Sequence, residues 1–151
     1  MQKLQFIEKI KTMKVTVYHQ VSFFEMDPMN VVWHGNYINL FEKARAALIL
    51  KLGLTYPKMA ELGHTWPVVK LHCKYMRPAT LNQKLAITAE LKDYENSLTI
   101  AFTVRDAETQ ELLTRGETMQ MAVDIKTGRT DIVNPPYFIE LVKKVLAAEA
   151  N

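Results

Sequence analysis

Only one cysteine, Cys73, stands in the 151-residue chain, so no disulfide can close within it and a reducing compartment fits best. Glycine is scarce as well. The five glycines form no Gly-x-Ser-x-Gly elbow, which argues against an α/β-hydrolase, and no Gly-rich phosphate-cradling loop. No apolar run reaches the roughly 20 residues that a membrane helix needs. The first residues lack the uninterrupted apolar stretch and small-residue cleavage site of a signal peptide, so the expected location is the cytoplasm. His19, His34, His64 and His72 fall at no recognised zinc spacing, and no metal is expected. A formal charge of +3, scattered along the chain, is too weak to argue for nucleic acid but suits a phosphorylated small molecule.

What is present reads as one globular domain. Apolar residues make up 48% and charged residues 23%, an ordinary balance for a chain long enough to bury a core. Residues 1–12, with Lys3, Lys9 and Lys11 against Glu8, read as a loosely held N-terminal extension; residues 13–151 read as the domain. Alternation over 13–24 predicts a half-buried strand with Val15, Val17, Val21 and Phe23 on one side. A helix is predicted over 36–52, about 25 Å long, with Asn36 as N-cap and Gly53 as its stop. Its apolar residues cover most of the circumference, so a sheet curling around it is expected. A second helix starts at Thr55-Tyr56-Pro57. Strands follow at 66–76, 84–93, 97–106 and 111–125, and a terminal helix follows Asn134-Pro135-Pro136. Strands joined by short turns favour an antiparallel sheet, giving an α+β domain.

The most informative stretch runs from Asp27 to Gly53. Asp27 lies on a turn with Pro28 and Asn30, and seven residues later His34-Gly35-Asn36 opens the long helix. A helix start leaves backbone N–H groups without partners and carries partial positive charge. Those donors can hold an oxyanion, so a carboxylate nearby is a workable layout for attack on a carbonyl. Asp-Pro is also a common turn pair, which alone would explain Asp27. His34 has three roles open to it: its backbone N–H as a donor, its imidazole as a partner to substrate or Asp27, or a helix cap. Gly35 would let a ligand approach the backbone closely. Trp33 and Tyr37 read as walls of a pocket or of the core. Glu42, three residues before Arg45, reads as half of a helix ion pair, and Cys73 as a core residue rather than a nucleophile.

These residues resemble the hotdog-fold acyl-CoA thioesterases, in particular the 4-hydroxybenzoyl-CoA thioesterase-like group. The resemblance spans roughly residues 14–137. It rests on Asp27, His34-Gly35-Asn36-Tyr37, Phe41-Glu42-Lys43-Ala44-Arg45 and Leu52-Gly53, supported by Tyr75-Met76-Arg77-Pro78-Ala79, Glu111-Leu112-Leu113, and Asp124 with Thr127-Gly128-Arg129. It implies an antiparallel sheet wrapped around a long central helix, a homodimer or homotetramer with acyl-thioester sites between subunits, and no cofactor beyond the coenzyme A of the substrate. It also implies hydrolysis of an acyl-CoA, with Asp27 as nucleophile or general base and the His34 N–H as oxyanion donor. Trp33, Gly35, Asn36, Tyr37, Lys74 and Arg77 are the candidate substrate contacts, the last two for the phosphates of CoA. Phe23, Phe24, Trp33, Trp66 and the methionines allow an apolar or aromatic acyl pocket. Two departures stand out. The family usually has an acid-Thr-Asp triplet where this chain has Glu25-Met26-Asp27, and a Gly where it has Asn30. An acyl-carrier-protein thioesterase and a non-catalytic acyl-thioester-binding protein are the alternatives.

Overall fold

A computed structural model describes residues 12–149; residues 1–11, most of the expected extension, and residues 150–151 lie outside the described residues. Five antiparallel strands form the main sheet: β1 (Lys14–Gln20), β3 (Val68–Tyr75), β4 (Lys84–Asp93), β5 (Leu98–Asp106) and β6 (Leu112–Gln120). Their order is β1-β4-β5-β6-β3. Three helices accompany it: α1 (Asn36–Lys51), α2 (Tyr56–Glu61) and α3 (Pro136–Glu149). Two short strands that hydrophobic periodicity did not separate, β2 (His64–Thr65) and β7 (Val123–Asp124), pair with each other. At two residues each they are too short to show a period.

Most of the predicted elements recur within a residue or two. The hairpin of β4 and β5 stands where the alternating patterns ended. Thr55 caps α2 by accepting the Lys58 N–H at 3.2 Å. Gly53 follows α1 with φ of 75°, a left-handed conformation that costs glycine little. The first strand is shorter than its pattern. It stops at Gln20, and Phe23 to Glu25 turn into a 3-10 helix that leaves Phe23 exposed instead of on the core side.

Helix α1 packs across β1 and β4, with Leu40, Phe41, Ala44 and Leu48 fully buried in the core. Phe41 stacks on Phe102 of β5 at 4.6 Å between ring centroids. That close packing needs Gly116 on β6, where an added Cβ would lie 2.6 Å from the Phe41 ring and 2.9 Å from the His72 carbonyl oxygen. The sheet curls around the helix as expected, and Ile38 and Leu50 of α1 lie exposed. Arg45, one of the charges that interrupt the apolar run, is buried instead. It pairs with Glu42, donates to the Thr118 hydroxyl at 2.6 Å and lies over the Phe102 ring. The charge is tolerated inside because it is paired and hydrogen-bonded.

The connection from β3 to β4 carries the chain from one edge of the sheet to strands at the other side. It is held at Ala79, whose carbonyl accepts the Val32 N–H at 2.9 Å and whose N–H donates to the Tyr37 hydroxyl at 3.2 Å. This crossing lays the end of β3 against the start of α1. Apolar residues of this edge strand, Val69 and Leu71 among them, lie exposed.

Candidate active site

Residues 25–33 fold into a tight hairpin that delivers both the acid and the helix start. The Trp33 N–H donates to the Glu25 carbonyl at 2.9 Å, and the Asp27 N–H to the Val31 carbonyl at 2.8 Å. Asn30 closes the turn by donating its N–H to the Asp27 carbonyl at 3.0 Å, with φ of 60°. That left-handed backbone is what glycine would supply, and asparagine adopts it more readily than most residues. The departure at this position therefore leaves the turn intact.

Asp27 serves the turn and keeps one oxygen spare. Its Oδ1 accepts the Met29 N–H at 2.8 Å, the turn-capping role that Asp-Pro pairs commonly play. Its Oδ2 has no partner among the described residues. The side chain is half-buried on the wall of a cleft of about 250 Å³. Three segments line that cleft: the turn (Asp27, Met29, Val31, Val32), the helix start (His34, Tyr37) and the end of β3 (Tyr75 to Pro78). Apart from Asp27, His34, Arg77 and two phenol hydroxyls, the lining is apolar.

The backbone around His34 is tied at all but two of its donors. The Trp33 N–H is bonded to Glu25, the Trp33 carbonyl accepts the Asn36 N–H at 2.9 Å, and the His34 carbonyl accepts the Tyr75 hydroxyl at 2.8 Å. The His34 and Gly35 N–H groups meet no acceptor among the described residues. Two donors without partners thus stand at the positive end of a 16-residue helix.

Other candidates take different places. Gly35, not Asn36, is the N-cap of α1. Asn36 is the first helical residue, and its side-chain amide donates to the Glu25 carbonyl at 2.9 Å, which locks the hairpin to the helix. The space a side chain would need at Gly35 is filled by the Trp33 ring, which is itself about half exposed and outside the cleft lining. Tyr37 is buried between the helix and Ala79 and lines the cleft floor. The His34 imidazole is exposed; it tilts against Trp33 at 5.1 Å and faces the edge of Tyr75 at 6.4 Å, and it makes no hydrogen bond to Asp27 among the described residues.

Arg77 stands at the cleft rim, two-thirds exposed, with its Nε donating to Glu111 at 2.6 Å. Lys74 alternates with Tyr75 along β3 and so points from the opposite face of the sheet, away from this cleft. Phe23 and Phe24 are almost fully exposed, and Trp66 is buried against Phe138, bonded to Asn134 at 3.2 Å. Of the expected pocket residues, two of the methionines, Met29 and Met76, line the cleft, and Val31, Val32 and Pro78 complete its apolar lining.

Two residues with no assigned role emerge. Glu25 is buried and holds His19 Nε2 at 2.7 Å, while its carbonyl carries the Trp33 and Asn36 bonds. Tyr75 reaches the helix start from β3. Burial pushes the phenols of Tyr37 and Tyr75 up, the latter to about 12, so both hydroxyls keep their protons at neutral pH. Burial also pushes the Cys73 thiol up, the reverse of what a thiolate nucleophile requires. Among the described residues no three His, Cys, Asp or Glu side chains gather as a metal site, and no helix is long and apolar enough to cross a membrane. His19, His64 and His72 each lie beside one carboxylate, Glu25, Asp131 and Glu117 respectively.

Comparison with known proteins gives a consistent picture. Residues 21–146 match the thioesterase-like superfamily. The putative acyl-CoA thioesterase YneP of Bacillus subtilis is 32% identical over 81 residues, 54% of this chain and 59% of that protein. The match thus spans a little over half the length of that relative. Among solved structures, a DHNA-CoA thioesterase from Staphylococcus aureus superposes with a TM-score of 0.77 at 27% identity, covering 91% of this chain and 93% of that one. A 1,4-dihydroxy-2-naphthoyl-CoA thioesterase from Synechocystis gives 0.76 at 14% identity over 91% and 98% of the two chains, a likeness of fold.

Proposed function

The chain belongs to the thioesterase-like superfamily and has its hotdog fold, and from that premise we propose that it hydrolyses an acyl-CoA thioester to the free acid and coenzyme A. The observation that carries this reading is the meeting of Asp27 and the His34 backbone in one mostly apolar cleft, each with a reactive group left without a partner among the described residues.

The acyl group enters between the turn and β3, with its carbonyl oxygen toward the His34 N–H. That amide, at the positive end of α1, stabilises the negative charge that develops as the carbonyl is attacked. Asp27 acts through Oδ2 by one of two routes. As general base it takes a proton from water while the water oxygen bonds to the carbonyl carbon; collapse of the tetrahedral intermediate breaks the C–S bond, and the proton passes to the departing sulfur. As nucleophile it bonds to the carbon itself and expels the thiolate, and water then cleaves the mixed anhydride. Both routes use the same oxygen and the same amide. In this reading Arg77, on the cleft lining and paired with Glu111, turns its guanidinium to a phosphate of CoA.

A second copy of the chain completes the assembly in this reading. Strand β3 is a sheet edge eight residues long, with Val68, Val69, Leu71 and Tyr75 partly exposed. Such an edge is a ready template for pairing, and a homodimer formed there, or a tetramer of two such pairs, would enclose the cleft. A monomer mass in sedimentation at micromolar concentration would rule this out.

The experiment for the function is a thiol-release assay over short, long, branched and aromatic acyl-CoAs, with each productive acyl group also presented on a carrier protein. Turnover on CoA, at least equal to that on carrier protein, is expected. Turnover confined to the carrier protein would reassign the substrate, and binding without turnover across the panel would make this a non-catalytic acyl-thioester protein.

A further inference from the structure

We propose that Tyr75 is a positioning residue for this hydrolysis: its hydroxyl holds the His34 carbonyl and thereby fixes the peptide unit that adjoins, and braces, the one presenting the His34 N–H to the cleft. This inference rests on the thioesterase reading above and adds to it a residue from a different element of the fold.

A helix start has an inherent weakness as an oxyanion site. Its first peptide units lack the hydrogen bonds that hold the interior of the helix in place. Here His34 lies two residues before α1, where the chain turns out of the hairpin. The hairpin side is secured by Glu25, whose carbonyl takes the Trp33 N–H and the Asn36 amide, each at 2.9 Å. A further bond, from the Asn36 N–H to the Trp33 carbonyl at 2.9 Å, holds the peptide unit that carries the His34 N–H, and the next unit, from the His34 carbonyl to the Gly35 N–H, is the middle of that turn and has no backbone partner among the described residues. The Tyr75 bond to the His34 carbonyl at 2.8 Å closes that gap. Peptide units are planar, so holding the carbonyl oxygen of His34 fixes the unit that follows it and restricts the one that carries its N–H.

The fixture is anchored on rigid structure. β3 pairs in register with β6, with Tyr75 opposite Thr114. The Tyr75 ring stands edge-on to Tyr37 at 5.3 Å, and the Tyr37 hydroxyl is bonded to the Ala79 N–H. Ala79 in turn takes the Val32 N–H. The turn, the helix start and the β3 end are therefore joined in one cycle of contacts, and the Tyr75 hydroxyl is the member that touches His34. The high pKa of this phenol keeps the donor in place across any ordinary assay pH.

Tyr75→Phe removes the hydroxyl and keeps the ring. The expected result is a kcat lowered about tenfold, a KM changed by less than about twofold and an unfolding curve that overlays that of the unsubstituted protein. In NMR spectra the His34 carbonyl and Gly35 amide resonances should move, while those of the Asp27 turn stay. A merely structural role would lower the melting temperature and leave kcat in place; that result, or unchanged kcat with unchanged His34 and Gly35 resonances, would overturn the proposal. Asp27→Asn, measured in parallel, separates the two levels. Acyl-CoA turnover that Asp27→Asn abolishes and Tyr75→Phe leaves intact defeats the Tyr75 assignment alone. No acyl-CoA turnover by the unsubstituted protein defeats the hydrolytic reading and this assignment with it.

Discussion

Asp27→Asn should lower acyl-CoA hydrolysis by about 10² to 10⁴, the usual worth of a positioned general base, with little change in melting temperature. The substitution is informative because Asp27 has two separable jobs. Its Oδ1 caps the turn by accepting the Met29 N–H, and a carboxamide oxygen does this equally well. The hairpin bonds of Asp27 to Val31 and Asn30 are made by backbone and are untouched. What is lost is the charge and basicity of Oδ2, needed by both routes. Asp27→Ala is a poorer test, since it removes the turn cap along with the carboxylate. Thiol release by the asparagine variant within about threefold of the unsubstituted rate would leave the carboxylate with a turn-capping role and no chemistry.

His34→Pro should cost about 10² to 10³ in kcat, the usual effect of deleting one oxyanion donor. His34→Ala, which keeps the N–H, should stay within about tenfold. The pair isolates the backbone from the imidazole. Proline removes a donor that meets no acceptor among the described residues, so no internal hydrogen bond is broken, and proline is tolerated where a helix begins. The imidazole is exposed against Trp33 and Tyr75 and makes no bond to Asp27 among the described residues, so little is expected from its loss. Circular dichroism and a melting curve for each variant check that α1 survives. The reverse order, with alanine crippling and proline mild, would move the role from the amide to the side chain.

The parts of the fold that were legible in the sequence are those with local causes. The span of α1 follows from its apolar run and from Gly53, and the β4–β5 hairpin from two alternating segments around a polar turn. The left-handed turn at Asn30 was readable because few residues adopt that backbone. The seven-residue spacing of Asp27 and His34 brought both to one cleft because a short hairpin joins them.

What stayed hidden depends on distant partners. Tyr75 reaches His34 across 41 positions of sequence, and no periodicity encodes that contact. The charge of Lys74 suits a phosphate, but its side of the sheet is set by strand register, and one position along a strand reverses the face. The Glu42–Arg45 ion pair follows from a spacing of three, but the Thr118 hydroxyl and the Phe102 ring that accompany the burial of Arg45 come from distant strands. The cap at Gly35 rather than Asn36 is a shift of one residue, made because the Asn36 side chain is drawn back to Glu25.

The most direct measurement is a crystal structure of the Asp27→Asn variant with a slowly cleaved acyl-CoA. The expected result is a thioester carbonyl oxygen about 3 Å from the His34 nitrogen, with the carboxamide at position 27 facing the carbonyl carbon or a water beside it. An acyl group seated elsewhere, for instance in the hollow at the start of α3 between His64 and Lys143, with the Asp27 cleft filled only by solvent, would contradict it.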